Sequence, residues 1–487
     1  MVPLAKTGGL GDVCGSLPPA LESLGCRCNA FLPAYRSALQ CGLPIENTNL
    51  TFTVPIGHRN VACRILKTQL PNSCVDVYLI DQPQYFDRSG LYADSYGEYA
   101  DNCERFSFFC RAACEAIDRL ELWPHIVHCH DWQSGLVPAY MSARLGNYAW
   151  MEKAASVMTI HNLAYQGRFW HLDMPLTGLD WKYFNWEQME YHGDLNLMKS
   201  GLVFADSLTT VSPTYAQEIT QPEHGCGLDD LLTKRRTDLV GIVNGVDYSH
   251  WNPESDPHLV RTYGVDNWQE GKRAAKVGLQ QELGLTQDPE VPLIGIVSRL
   301  AGQKGWDLII PLLRDWIGSR PVQWAILGTG ERRFEEELRA ISQNNPQQLA
   351  VRLEFSEGLA HRIEAACDIF LMPSRYEPCG LNQLYSLRYG SVPVVHATGG
   401  LADTVVHTSE ETLQAGTATG FQFHEYSLPA LTGALSEALD FFQNYRPQWT
   451  QIVQTGMRND WSWQTSAQRY KDVYLKTICN HKPLVET

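Results

Sequence analysis

Nowhere in the 487 residues does an apolar run approach the roughly 20 residues of a membrane span, and the N-terminus lacks the basic-then-apolar layout of a secretory signal. The chain therefore reads as soluble and intracellular. A long basic stripe is also missing, and a formal net charge of -15 argues against nucleic acid or an anionic membrane as the main partner. An uncharged polymer remains a compatible substrate. No pair of CxxC motifs exists to build a zinc site, and no two aspartates stand two residues apart. The 14 cysteines are scattered over a large chain rather than concentrated as in small secreted domains, so they are expected to be reduced and mostly buried. Low hydrophobicity is absent too: 44% hydrophobic and 19% charged residues are ordinary globular values and exclude widespread disorder.

Length favours two large domains. From residue 293 short, nearly all-apolar strands alternate with amphipathic helices: LIGIVSRL, a helix over 306–317, VQWAILG, a charged helix after Glu331, LAVRLEF, a helix over 361–367, DIFLMPS, a helix after Gly380, then VPVVHA. That pattern predicts a parallel sheet covered on both faces, a Rossmann-like α/β domain. The first half predicts a second α/β sheet, with strands at 29–33, 75–81, 125–131, 156–162, 207–213 and 238–245. The turn-rich NGVDYSHWNPESDP places the boundary near residue 250. Domains are accordingly expected over 1–250 and 251–460, with a helix over 461–487 crossing back to the first.

Glycine-bearing loops follow several of these strands. Lys6-Thr-Gly8-Gly9-Leu-Gly-Asp12 precedes a helical stretch, so one lysine and a set of backbone N–H groups gather at a helix start, a site suited to an anion or sugar hydroxyls. Its spacing matches neither the dinucleotide fingerprint nor the Walker loop. A strand should feed such a loop, and none precedes Lys6. Roughly ten further apolar-rich residues are expected ahead of Met1, from the usual strand length. In the second half, Arg299 and Lys304 stand on one strand-end loop and could clamp a diphosphate, arginine by its planar fork and lysine as a point charge. Gly328 lies on the next glycine turn. Glu377 sits on the loop of PSRYEPCGLNQ, where it could accept from sugar hydroxyls while the amides of Gly380, Leu381 and Asn382 meet phosphate or ribose. Thr398-Gly399-Gly-Leu repeats the geometry one strand later. In the first half HCHDW and His161-Asn162-Leu-Ala-Tyr-Gln-Gly close two apolar strands. Taken singly, a strand-end histidine is more often structural, and a glutamate before a helix is more often a cap. Together these loops describe one cleft between two domains.

KTGGLGD, HNLAYQG, SRLAGQKG, PSRYEPCGLNQLYSLRYG and ATGGLADTV, in this order and spacing, resemble the bacterial glycogen and plastidial starch synthases, retaining GT-B transferases of glycosyltransferase family 5. The likeness runs from residue 3 to about 475. It implies two Rossmann-like domains facing across a deep cleft, with ADP-glucose, less often UDP-glucose, as donor. It further implies an α-1,4-glucan as acceptor, no cofactor and no required metal. The implied catalytic residues are His161, Arg299, Lys304 and Glu377. Donor contacts would come from Lys6, Gly8, Gly9, Gly328, Phe355, Cys379, Gly380, Leu381, Asn382, Thr398 and Gly399, with Phe355 stacking on adenine. Acceptor contacts would come from Asp12, Asn102, Asp131, Asn162 and Asn244. Cytoplasmic or plastid-stromal residence and association with starch or glycogen granules are further implications.

Two features depart from the pattern. The strand before Lys6 is missing, and Tyr385 stands where many related retaining transferases carry a second glutamate. Metal-dependent GT-A enzymes use an Asp-x-Asp pair, so here the charge that grows on the leaving diphosphate must be neutralised by protein groups. Glycosidases use two carboxylates, and Glu377 has no evident second partner. Front-face transfer, with the departing phosphate accepting the acceptor's proton, fits better. The rival readings are a catalytically idle glucan-binding or scaffolding paralogue, which intact Lys6, Arg299, Lys304 and Glu377 disfavour, and a pyridoxal-phosphate phosphorylase, which the glycine turns disfavour.

Overall fold

A computed structural model describes residues 1–94 and 96–481. The chain divides into two compact units, one of Met1–Gly245 with the chain from Trp463 onward, the other Val246–Ser462.

The first unit holds two four-stranded sheets rather than the single sheet expected from the apolar runs. One has the spatial order Asn29–Pro33, Asp76–Asp81, Arg59–Gln69, Glu46–Ile56. Its last two strands form an antiparallel hairpin that the sequence reading missed. The signal was present, because Phe52, Val54 and Ile56 alternate inward along ENTNLTFTVPI, but the intervening threonines and asparagines masked it. Gly57, with φ +56°, lies in the tight turn. The other sheet is all parallel, in the order Leu239–Gly241, Ser207–Thr210, Ala155–Ile160, Ile126–His130. Asn29–Pro33 and Ile126–His130 are each sheet edges, paired in parallel on one side.

No strand precedes Lys6 among the described residues; a short turn leads into the helix Gly9–Ser23. The helix Trp463–Asn480 packs on that helix through Val13, Leu17, Leu21, Trp463, Ala467 and Tyr470. Polar ties hold it as well, with Ser466 Oγ donating to Val243 O near its start and Lys471 Nζ to Leu24 O at its middle.

The second unit carries a six-stranded, wholly parallel sheet in the order Leu349–Arg352, Gln323–Leu327, Leu293–Val297, Ile369–Met372, Val392–His396, Phe421–Phe423. In chain order this is 3-2-1-4-5-6, the doubly wound arrangement. Apart from Val297 at its end, Leu293–Val297 is buried throughout, and Gln323–Leu327 and Val392–His396 are buried along their whole length. Burial on both faces is the reason these segments read as continuous apolar runs instead of alternating. Helices Trp306–Trp316, Arg332–Asn344, Glu357–Ala366 and Asn382–Tyr389 follow the first, second, third and fourth strands. Among the described residues no helix is long and apolar enough to cross a membrane.

Candidate active site

In a doubly wound sheet the chain reverses its winding between the first and fourth strands, and the loops leaving their carboxyl ends diverge to open a crevice. Here those loops carry Arg299 with Lys304, after Leu293–Val297, and Glu377, after Ile369–Met372. Lys304 Nζ lies 2.6 Å from Glu377 Oε2 across this switch point. Both side chains are largely buried, and Ser374 Oγ donates to the same carboxylate oxygen at 2.9 Å. The two loops are also stitched through Gln303, whose carbonyl accepts from Arg375 N and whose side-chain amide donates to Tyr376 O. Arg299 is exposed; its Nη2 reaches Gln303 Oε1 at 3.3 Å while its carbonyl accepts from Trp306 Nε1.

Glycine is required where the Thr398 loop meets the Glu377 loop. Gly399 has φ +46°, and a Cβ there would stand 2.0 Å from Glu377 O; one on Gly400 would stand 1.9 Å from Cys379 O. The freed space lets Gly400 N donate to Glu377 O at 3.1 Å. Thr398 is the residue before the helix Gly399–Thr404, and Leu381 precedes Asn382–Tyr389, so two helix N-termini end at this row of loops. Gly380 holds φ +72° between them and Glu377. Cys379 is buried, and the Asn382 side chain is occupied by Val297 O at 2.6 Å, tying the fourth-strand loop to the first strand. Gly328 follows the second strand. Phe355, in the link after the third, is 89% exposed.

In the first unit the parallel register sets His130 opposite Thr159, two residues before His161, so the ends of adjacent strands bring two imidazoles together. His130 Nδ1 and His161 Nε2 are 3.0 Å apart. Behind them His128 bonds Thr159 Oγ1 and the Tyr474 hydroxyl of the terminal helix. Burial holds His161 and His128 well below the usual imidazole range and brings His130 down to about 4, so all three are neutral near pH 7. Asp131, at φ +53°, accepts from His161 N at 2.7 Å, and burial pushes its carboxyl up to about 7. Lys6 pairs with Asp12 at 2.6 Å, and Gly8 is the residue before the helix that carries Asp12. Gly9 opens that helix. Asn102 is buried between Tyr92 O and Arg105, and Asn162 accepts from Ala164 N within its own turn. Asn244 Oδ1 is buried with no protein partner, which leaves an acceptor free for a ligand.

The second unit thus gathers Arg299, Lys304, Glu377, Gly380, Thr398 and Gly399 at the carboxyl end of one sheet, and the first gathers Asp131, His161 and Asn162. Residues the sequence reading passed over are Ser374, Gln303, Gly400 and His130. Of these His130 was within reach, since HCHDW and TIHN end neighbouring apolar strands.

A doubly wound domain with two cations at its switch point, in one chain with a second α/β unit, is the plan of the GT-B class of glycosyltransferases. A family model described as the starch synthase catalytic domain matches residues 1–234, and one described as glycosyl transferases group 1 matches residues 283–446. Glycogen synthase of Rhodopirellula baltica is 49% identical over 98% of this chain and 96% of its own length, and that of an Anaeromyxobacter species is 44% identical over 97% of each. The solved catalytic domain of starch synthase IV from Arabidopsis thaliana, bound to ADP and acarbose, superposes with a TM-score of 0.89 at 30% identity, covering 99% of this chain and 98% of that one. The chain belongs to the glycogen and starch synthase family.

Proposed function

We propose that the protein transfers glucose from ADP-glucose to the non-reducing end of an α-1,4-glucan with retention of configuration. The observation that carries this reading is the Lys304–Glu377 pair at the switch point, within a chain alike over its whole length to glycogen synthases. Arg299 and Lys304 take the diphosphate, and the helix starts at Thr398 and Leu381 add N–H groups to it. Negative charge grows on the leaving phosphate as the glycosidic bond breaks, and these fixed cations and dipoles stabilise it without an added metal ion. Their neighbouring carboxylates, Glu331 and Glu377, are each already paired, with Arg333 and Lys304. Substrate phosphate draws Lys304 away from Glu377, whose freed oxygens accept from glucose hydroxyls. The strand end at His161 offers oxygen to the developing positive charge at the anomeric carbon, and its neutral imidazole bonds a glucose hydroxyl. The departing phosphate takes the acceptor's proton on the same face, so no second carboxylate is needed.

ADP rather than UDP follows from the family resemblance, supported by the ADP held by the Arabidopsis relative. Association with glycogen or starch granules belongs to the same reading. The test is a competition assay with the purified chain, glycogen as acceptor, and labelled ADP-glucose against UDP-glucose. Preferential incorporation from ADP-glucose into amylase-sensitive product is expected; incorporation from UDP-glucose alone overturns the donor assignment, and none from either overturns the activity.

A further inference from the structure

Side chains two positions apart on a strand share a face. His128 and His130 therefore stand in line on Ile126–His130, opposite Val157 and Thr159 of the neighbouring strand. Each reaches the residue two past its register partner: His128 Nε2 lies 2.6 Å from Thr159 Oγ1, and His130 Nδ1 lies 3.0 Å from His161 Nε2. The first contact ends on a buried hydroxyl, the second on the imidazole that meets the transferred glucose. The transfer chemistry gives His161 a sugar hydroxyl and gives His130 no task.

A neutral imidazole carries one N–H and one bare nitrogen, so two neutral rings that face each other through Nδ1 and Nε2 share a single proton on that line. Burial keeps both rings neutral. If His161 donates, both rings hold their proton on Nε2, the tautomer that a free imidazole side chain prefers. If His130 donates, both hold it on Nδ1, the less stable form, so the first arrangement is favoured by both rings. His128 agrees with it, since a proton on its Nε2 meets Thr159 Oγ1 while the Tyr474 hydroxyl donates to its Nδ1 at 2.7 Å. With Nε2 of His161 engaged, Nδ1 is the ring nitrogen left for a sugar, and it is an acceptor.

We propose that His130 is a positioning residue for glucosyl transfer: its Nδ1 accepts from His161 Nε2–H and so fixes the ring of His161 in one orientation and one tautomer, with Nδ1 presented as an acceptor to a glucose hydroxyl. This rests on the transfer reaction of the preceding section. The second torsion of a histidine side chain is broad, so an untethered ring samples a range of angles. A hydrogen bond at one nitrogen removes that freedom and decides what the other nitrogen offers. The tether is itself anchored. Ser134 Oγ accepts from His130 N at 2.6 Å, and the His128 ring lies against the His130 ring with 4.1 Å between centroids. Asp131 Oδ1 holds the His161 backbone N–H at 2.7 Å, so consecutive residues of one strand end grip the ring and the main chain of His161 separately.

The experiment joins steady-state kinetics of the full chain, with ADP-glucose and glycogen both varied, to imidazole nitrogen NMR on isotopically labelled protein. In the parent, His161 should show a protonated Nε2 and a bare Nδ1; a proton on Nδ1 overturns the proposal. His130→Leu keeps bulk and removes the acceptor, and kcat should fall about tenfold or more with both KM values within about threefold of the parent's. His130→Asn sets an amide oxygen near the place of Nδ1 and should recover kcat to within about threefold of the parent. In a His161→Ala background, His130→Leu should cost less than about twofold further, because a residue that acts through the ring has nothing left to act on. A kcat for His130→Leu within about threefold of the parent, an equal fall in His130→Asn, or losses that multiply in the double variant would each reduce His130 to a structural residue. Where His130→Leu does not fold, the parent spectrum and His130→Asn decide. Failure here is separable from failure of the activity: a parent that transfers glucose with Nδ1 of His161 protonated removes the tether alone, whereas the expected spectrum without transfer removes the reaction and, with it, the positioning role.

Discussion

Lys304 Nζ rests 2.6 Å from Glu377 Oε2, joining loops that leave the first and fourth strands of one sheet at its point of reversal. Each group neutralises the other in the absence of substrate, so neither can be removed without exposing its partner to a largely buried site.

Lys304→Ala should therefore lower both rate and stability. Loss of a contact to transition-state charge costs about 3 kcal/mol in rate, and the orphaned Glu377 about 3 kcal/mol in folding free energy. Adding Glu377→Gln to Lys304→Met should restore most of the stability and none of the transfer. Denaturant unfolding and single-turnover assays read the two quantities; a double variant as unstable as the alanine variant would show that the pair is not coupled in folding.

Glu377→Gln alone keeps the side chain's shape and Ser374's hydrogen bond while removing the negative acceptor. Nucleotide binding by calorimetry should persist, and glucose transfer should fall at least about a hundredfold. Turnover equal to the parent's would remove Glu377 from the sugar site.

Gly399→Ala places a methyl group against Glu377 O and forces a left-handed backbone on a residue with a Cβ. A stability loss of about 1–3 kcal/mol is expected, with a larger fall in kcat than in stability because the displaced segment carries Glu377. A fully active variant of parental stability would show that the loop can move away at no cost.

Acid should unfold the first unit early. Burial depresses the pKa of His128, His130 and His161, so the folded protein keeps them neutral while the unfolded chain binds protons below about pH 6.5. Stability is full above that value and is lost as pH falls towards about 4 for His130, by about 1.4 kcal/mol per pH unit for each such histidine. Asp131, its carboxyl pushed up to about 7, takes up a proton in the folded state over the same range and offsets one of the three, so urea midpoints at pH 7, 6 and 5 should fall with a net slope of about two protons, and His130→Asn should flatten it by about one. A pH-independent midpoint over this range would contradict the buried neutral triad.

On the proposal that Arg299 and Lys304 supply the positive charge a divalent ion would otherwise bring, chelation should leave transfer intact. Abolition of transfer by EDTA and recovery with magnesium or manganese would overturn that division of labour.

What the sequence by itself determined was local. Apolar runs bounded by glycine turns marked every strand of the second unit's sheet except its last, Phe421–Phe423, and the loops bearing Arg299, Lys304 and Glu377 followed from where those runs stop. The hairpin Glu46–Ile56 with Arg59–Gln69 escaped because polar threonines and asparagines on its solvent face weaken a period-two signal. Only the tertiary structure decided which strands are neighbours: that the larger strands of the first half build two four-stranded sheets, that the first and fourth strands of the second half flank the reversal, and that His130 meets His161. Strand order depends on which apolar faces bury against which helices, a free energy summed over residues far apart in the chain. Lys304 and Glu377 are 73 positions apart, so no window of sequence contains the contact that joins them.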